Sequence, residues 1–206
     1  MVLPGQFLER PTLIPVGDLV LEGLFHKGKR GGAIVAPPHP QFGGSMENPV
    51  VAEAVFALYR AGYSTLRFNF RGVGASQGEI TGDPEKGVED YLAAMKVEIE
   101  NTGAEKLTGG GYSYGAYITY LAYIRKAPLE RLILISPPNK LFDMNLDKIS
   151  IPSLIICGDR DNFCYIDPEK EKNPYLKVEI IRGADHFYVR GLGTIGNIIA
   201  EWLKEE

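Results

Sequence analysis

The stretch Lys106-Leu107-Thr108-Gly109-Gly110-Gly111-Tyr112-Ser113-Tyr114-Gly115 reads as a short strand, a sharp turn and the first residues of a helix. Leu107 gives the leading half its apolar residue, and from Tyr112 to Arg125 apolar positions return at helical spacing. Within it, Gly111-Tyr112-Ser113-Tyr114-Gly115 matches the G-x-S-x-G nucleophile elbow in the strand-turn-helix context that the motif requires. The requirement is steric: a serine lifted on a one-residue reversal sits in strained backbone, and the residues two positions away must lack side chains. Gly111 and Gly115 meet it. The helix start behind Ser113 also presents unpaired N–H groups and a positive dipole end, which favour negative charge.

On either side of the elbow the chain alternates strands and helices. Ala33–Ala36, Ser64–Phe70, Arg131–Ser136, Ser153–Cys157 and Val178–Ile181 read as strands, several of them continuous apolar runs of the kind covered on both faces. Asn48–Gly62, Pro84–Ile99 and Thr194–Leu203 carry apolar residues at helical spacing, the first closed by Gly62 and the second opened at Asp83 or Pro84. Asp18–His26 reads as a leading strand or hairpin after an irregular start. This pattern predicts an α/β fold, a mostly parallel central sheet with helices on both faces, as one domain over residues 1–206. Only about 17 positions separate Ser136 from Ser153, too few for an inserted lid domain.

Composition narrows the function. Of 206 residues 45% are hydrophobic and 23% charged, which excludes a disordered chain, and the net charge of −4 offers no basic footprint for nucleic acid. No apolar run reaches the ~20 residues that span a bilayer, and Pro4 and Gly5 stand where a signal h-region would be. A cytoplasmic location with no membrane or nucleic-acid partner is the expectation. Cys157 and Cys164 make neither a disulfide framework nor a zinc site, and read as a buried strand residue and inert packing in a reduced compartment.

A serine nucleophile needs a base, and there are three histidines, His26, His39 and His186. His186, in Gly183-Ala184-Asp185-His186-Phe187, follows the last strand and precedes the final helix, at the sheet edge where Ser113 emerges. His26 reads as a surface or edge histidine on the hairpin, and His39 as a residue bonding its own loop. The acid must lie between Ser113 and His186 and follow a strand, which Gly158-Asp159-Arg160-Asp161 does. Asp161 is preferred to Asp159, because Asp159 directly after Gly158 suits a turn hydrogen bond, whereas two residues later the loop has room to turn back. The Tyr114 backbone N–H is one oxyanion donor by position. The second comes from His39-Pro40-Gln41-Phe42-Gly43-Gly44, with the N–H of Gln41 the candidate and Phe42 the alternative.

These motifs resemble the α/β-hydrolase superfamily, in its small cap-less branch of dienelactone-hydrolase-like proteins and predicted carboxylesterases. Besides the elbow, the resemblance is carried by His39-Pro40, Gly43-Gly44 and Asn48, by Arg67-Phe68-Asn69-Phe70-Arg71-Gly72-Val73-Gly74-Ala75-Ser76, by Gly158 with Asp161, and by Gly183 with His186-Phe187. It implies Ser113, Asp161 and His186 as a triad. True dienelactone hydrolases carry a cysteine nucleophile, so their substrate is not transferred to a chain with Ser113.

The expected function is acyl transfer on a small-molecule ester, with no metal and no cofactor. A peptidase or thioesterase would use the same residues, and a noncatalytic binding module on the same scaffold is the reading from another class. Gly109, Gly111 and Gly115 fail the dinucleotide spacing, and Arg71-Gly72-Val73-Gly74 reads as a turn after a strand. Asp83, Glu85, Glu89 and Asp90 read as a helix-start and solvated face. Leu141, Phe142, Met144, Leu146 and Ile149 could wall an acyl pocket or make a homodimer contact, with packing on the sheet as the plainer reading.

Overall fold

Leu132-Ile133-Leu134-Ile135 and Leu154-Ile155-Ile156-Cys157 have no polar side, so strands built from them must be covered on both faces. In the structure, a computed structural model describing residues 8–167 and 171–204, they lie within a sheet of eight strands among the described residues. These are β1 (Arg10–Val16), β2 (Leu19–His26), β3 (Gly32–Ala36), β4 (Ser64–Phe68), β5 (Leu107–Tyr112), β6 (Leu129–Ile135), β7 (Ser153–Gly158) and β8 (Leu176–Ile181). The spatial order is β1-β2-β4-β3-β5-β6-β7-β8. The pairings of β1 with β2 and β2 with β4 are antiparallel, and all later ones are parallel. Pro4 and Gly5 lie outside the described residues.

Successive residues of a strand point to opposite faces, and the two faces take different helices. Helices α1 (Pro49–Arg60) and α4 (Leu192–Trp202) bring Val51, Val55, Leu58, Ile195 and Ile199 against Val35, Ile133, Ile135, Leu154 and Ile156. Helices α2 (Pro84–Thr102) and α3 (Tyr114–Ile124) bring Val88, Tyr91, Met95 and Ile118 against Ile34, Leu66, Leu132, Leu134 and Ile155. The side chains of Asn48 and Asp83 accept the N–H of Val50 and Glu85, with Pro49 and Pro84 at the first helical positions.

Three expectations need correction. The irregular start contains a strand, β1, whose Pro11 and Pro15 disguise it; an edge strand tolerates prolines because one of its sides needs no donors. Asp90 is not part of a solvated face. It is fully buried, accepting from the Arg71 N–H at 2.9 Å and from the Arg71 guanidinium at 2.6 and 3.0 Å. The partner lies on the loop after β4, so only the fold brings the two together. The third concerns the cysteines and is described with the site.

Residues 136–152, between β6 and β7, hold only a short 3-10 turn at Leu146–Lys148, and there is no lid domain. Met144 and Ile149 are buried against the core, and Phe142 stacks on Tyr117 at 4.3 Å, so packing accounts for them while Leu141 stays exposed. Among the described residues no helix is long and apolar enough to cross a membrane.

Candidate active site

Ser113 occupies the one-residue turn between β5 and α3 at φ 54°, a left-handed conformation that L side chains rarely adopt. Its N–H donates to the Ile135 carbonyl at 2.9 Å, so the turn is anchored to the neighbouring strand. A Cβ added at Gly111 would overlap the Gly115 carbonyl, and one added at Gly115 would overlap the carbonyls of Ala36 and Pro37. Those two glycines let α3 begin hard against the exit of β3, bringing the loop after β3 beside the serine.

The structure brings Ser113, His186 and Asp161 into one hydrogen-bonded chain. Ser113 Oγ lies 2.9 Å from His186 Nε2, and His186 Nδ1 lies 2.9 and 3.0 Å from the two Asp161 oxygens. A carboxylate only accepts, so Nδ1 carries the proton and Nε2 is left to accept from the serine. Both partners are buried. The imidazole is further held by the Tyr112 hydroxyl, which donates to the His186 carbonyl at 2.7 Å, and by the edge of Phe163 at 4.8 Å. Burial by itself would raise the Asp161 pKa. Hydrogen bonds from His186, from the Ser136 hydroxyl and from the N–H groups of Phe163 and Cys164 outweigh it and hold the carboxyl below its ordinary value. Asp159 does something else: it accepts the Gly183 N–H at 2.6 Å and ties down the turn that leads into the histidine loop.

Gln41 lies on the 3-10 turn Pro40–Phe42. Its N–H donates to His39 Nδ1 at a long 3.3 Å, whereas the Phe42 N–H donates to the His39 carbonyl at 3.1 Å. Burial lowers the His39 pKa, so the ring is neutral and offers Nδ1 as an acceptor. The ring packs against Phe42 and Tyr114, each at 4.7 Å. Of the two candidate donors, Gln41 is therefore the less firmly engaged. Tyr114 opens α3, where a backbone N–H has no intrahelical acceptor. His26, by contrast, lies on β2, away from this edge of the sheet, with Nδ1 bonded to the Leu8 carbonyl.

Cys157 and Cys164 are joined as a disulfide, with Cα atoms 6.1 Å apart, closing the loop that carries Asp161. The free, inert thiols expected from sequence are thus replaced by a cross-link, because the loop doubles back after β7 and faces the two side chains inward. Two further groups behind Asp161 escaped the sequence reading, the buried hydroxyls of Ser136 and Tyr188, 2.8 Å apart. A signal existed for Ser136: it ends an apolar strand at the same sheet edge as Ser113. Among the described residues no group of three or more His, Cys, Asp or Glu side chains is arranged to hold a metal.

A parallel sheet whose carboxyl edge is turned by a glycine-flanked serine, with a histidine and an acid arriving from later strands, is the arrangement of the α/β hydrolases. Known proteins agree. The serine aminopeptidase S33 family (Hydrolase_4) matches residues 43–144, a span that includes the elbow and stops before Asp161 and His186. An uncharacterized protein of Rickettsia prowazekii is 33% identical over 169 residues, 76% of this chain and 71% of that protein. An α/β serine hydrolase homologue from Coxiella burnetii has a TM-score of 0.80 at 29% identity, covering 98% of both chains. A serine hydrolase without lid from Xanthomonas campestris has a TM-score of 0.79 at 26% identity, covering 100% of this chain and 97% of that one. The chain belongs to the α/β serine hydrolases.

Proposed function

We propose that this protein cleaves small carboxylic esters through an acyl-enzyme formed on Ser113. The observation that carries the reading is the continuous chain from Ser113 Oγ through His186 to Asp161. His186 Nε2 takes the hydroxyl proton as Oγ attacks the carbonyl carbon, and the same nitrogen returns the proton to the departing alkoxide. A water molecule then repeats the sequence on the acyl-enzyme and frees the acid. Asp161 holds the imidazole in the productive tautomer and stabilises the imidazolium. The Tyr114 N–H and, once it turns from His39 Nδ1, the Gln41 N–H bind the oxyanion. Without a lid, the serine is reached from an open edge, which suits small substrates.

A peptidase reading has one observation in its favour, the S33 aminopeptidase family match over residues 43–144. Acyl groups presented as p-nitrophenyl ester, thioester and aminoacyl amide distinguish the two. The ester reading expects the largest kcat/KM, and a pre-steady-state burst, with short-chain esters. A clear preference for the amide would replace it with the peptidase reading, and failure to turn over any of the three would favour a binding module.

A further inference from the structure

Single exposed apolar side chains are ordinary on a protein surface and need no explanation by themselves. Leu13, 72% exposed on the outer strand β1, is of that kind. Phe187 differs by its place. It directly follows His186 and is 70% exposed, and its ring stands perpendicular to the imidazole with centroids 5.6 Å apart. The backbone that carries it is pinned on both sides. The Tyr112 hydroxyl holds the His186 carbonyl at 2.7 Å, and the Tyr188 N–H donates to the Asp185 carbonyl at 3.2 Å. The Tyr188 side chain turns inward and is buried, its hydroxyl 2.8 Å from that of Ser136 and 3.3 Å from the Ile156 carbonyl. Phe187 therefore meets solvent from a fixed mount.

The chemistry of the site says what covers that ring. His186 Nε2 returns the proton to the departing alkoxide, so the alcohol oxygen of the substrate must come within hydrogen-bonding reach of this nitrogen. The organic group on that oxygen then lies beside the imidazole. Much of the imidazole's surroundings is already filled: Asp161 occupies Nδ1, the buried Tyr112 ring lies at 5.7 Å, inclined by 32°, and the Phe163 ring meets it edge-on at 4.8 Å. The oxyanion turns instead to the Tyr114 and Gln41 N–H groups. The exposed ring beside the imidazole is Phe187.

We propose that Phe187 is a specificity-determining residue for the alcohol half of the ester, an aromatic platform that favours substrates whose alcohol carries an apolar ring. The inference rests on the ester reading of Ser113, Asp161 and His186 and deepens it: the acid is short and the alcohol aryl or arylalkyl. In the free protein the outer surface of Phe187 is wetted. A ring on the leaving alcohol covers it, taking apolar surface of both partners out of water and letting the two rings meet offset or edge to face. A ring on the acid gains no such contact, because the acyl chain and the alcohol oxygen leave the tetrahedral carbon in different directions and only the oxygen is drawn to Nε2. A phenylalanine that merely held the imidazole would affect all esters alike.

Benzyl acetate and methyl phenylacetate are isomers that carry the same ring on the alcohol and on the acid respectively, so comparing them cancels overall hydrophobicity. The test is steady-state hydrolysis of both by wild type, Phe187→Ala and Phe187→Leu, with Ser113→Ala as reference and each rate divided by the ester's hydroxide-catalysed rate to remove intrinsic reactivity. Wild type is expected to show a kcat/KM about tenfold higher for benzyl acetate, the discrimination that one apolar contact supplies. Phe187→Ala should lose most of that preference, chiefly through a rise in KM for benzyl acetate, since the contact is made in ground and transition state alike. Phe187→Leu, which keeps apolar surface without the ring, should fall between. Equal turnover of the isomers by wild type, a preference for methyl phenylacetate, or equal losses on both esters in Phe187→Ala overturns the inference and leaves ester hydrolysis standing. Should Phe187→Ala not fold, the wild-type ratio and Phe187→Leu decide. No hydrolysis of either isomer by wild type, or wild-type turnover in Ser113→Ala, would instead remove the reading on which the inference rests.

Discussion

Two sides of the sheet solve the problem of turning a buried chain in opposite ways. Around β2 and β4 the positive φ angles fall on glycines, Gly17, Gly72, Gly74 and Gly78, and buried charges are matched in pairs, Arg71 with Asp90 and Arg67 with Glu9. At the carboxyl ends of β5 and β6, and in the loop after β8 beside Gly183 and Gly191, left-handed turns also fall on Ser113, Ser136 and Tyr188, whose hydroxyls bond to His186 in the first case and to each other in the other two. Where only the backbone must turn, the chain uses the residue that turns without strain. Where a hydroxyl must stand at the turn, strain is tolerated.

The contrast breaks most sharply at Ser113. Ser113→Ala should lower kcat by about a thousandfold or more, as loss of a nucleophile does, while leaving the melting temperature near wild type. The opposite side should show the reverse. Asp90→Ala leaves Arg71 buried without its main partner and should cost about 3–5 kcal/mol of stability in urea unfolding, with kcat/KM of the folded protein unchanged. A comparable loss of activity at Asp90 would mean that the two regions are not separable.

Much of this was legible in the sequence, for reasons that can be stated. Apolar runs without a polar side had to become doubly covered strands, and the elbow glycines, the order of Ser113, Asp161 and His186, and their strand-end positions left few alternatives. What escaped depended on contacts that no local pattern reports. Ser136 reads only as the last residue of an apolar strand, and its bond to Tyr188 crosses 52 residues. Asp90 reads as one more surface acid until Arg71 arrives from another loop. Cys157 and Cys164 read as packing because nothing in their spacing shows the loop folding back.

Smaller effects sharpen the comparison. Glu98, fully buried on α2 with neither carboxyl oxygen hydrogen-bonded among the described residues, has its carboxyl pushed by burial up to about 8. The unfolded chain ionises near the ordinary value of 4.5, so between about 4.5 and about 8 it holds fewer protons than the folded one. Stability should therefore fall as pH rises through that window and level off above it. Glu98→Gln should flatten the fall, a difference of a few kcal/mol on the order expected from linkage, read as melting temperature against pH. A wild-type curve with no slope there would show that Glu98 ionises normally. Smallest is Cys164→Ser, which opens the short loop around Asp161 and should cost about 2 kcal/mol by loop entropy, with little loss of kcat because the N–H groups of residues 163 and 164 still reach the carboxylate.

The central claim is that burial and hydrogen bonding at one sheet edge make a single alcohol nucleophilic. Labelling the folded protein with a fluorophosphonate and mapping the modified peptide by mass spectrometry tests it directly. The expected result is one adduct on Ser113, formed much more slowly in His186→Ala and absent in Ser113→Ala. An adduct on another residue, or none on protein shown to be folded, would contradict it.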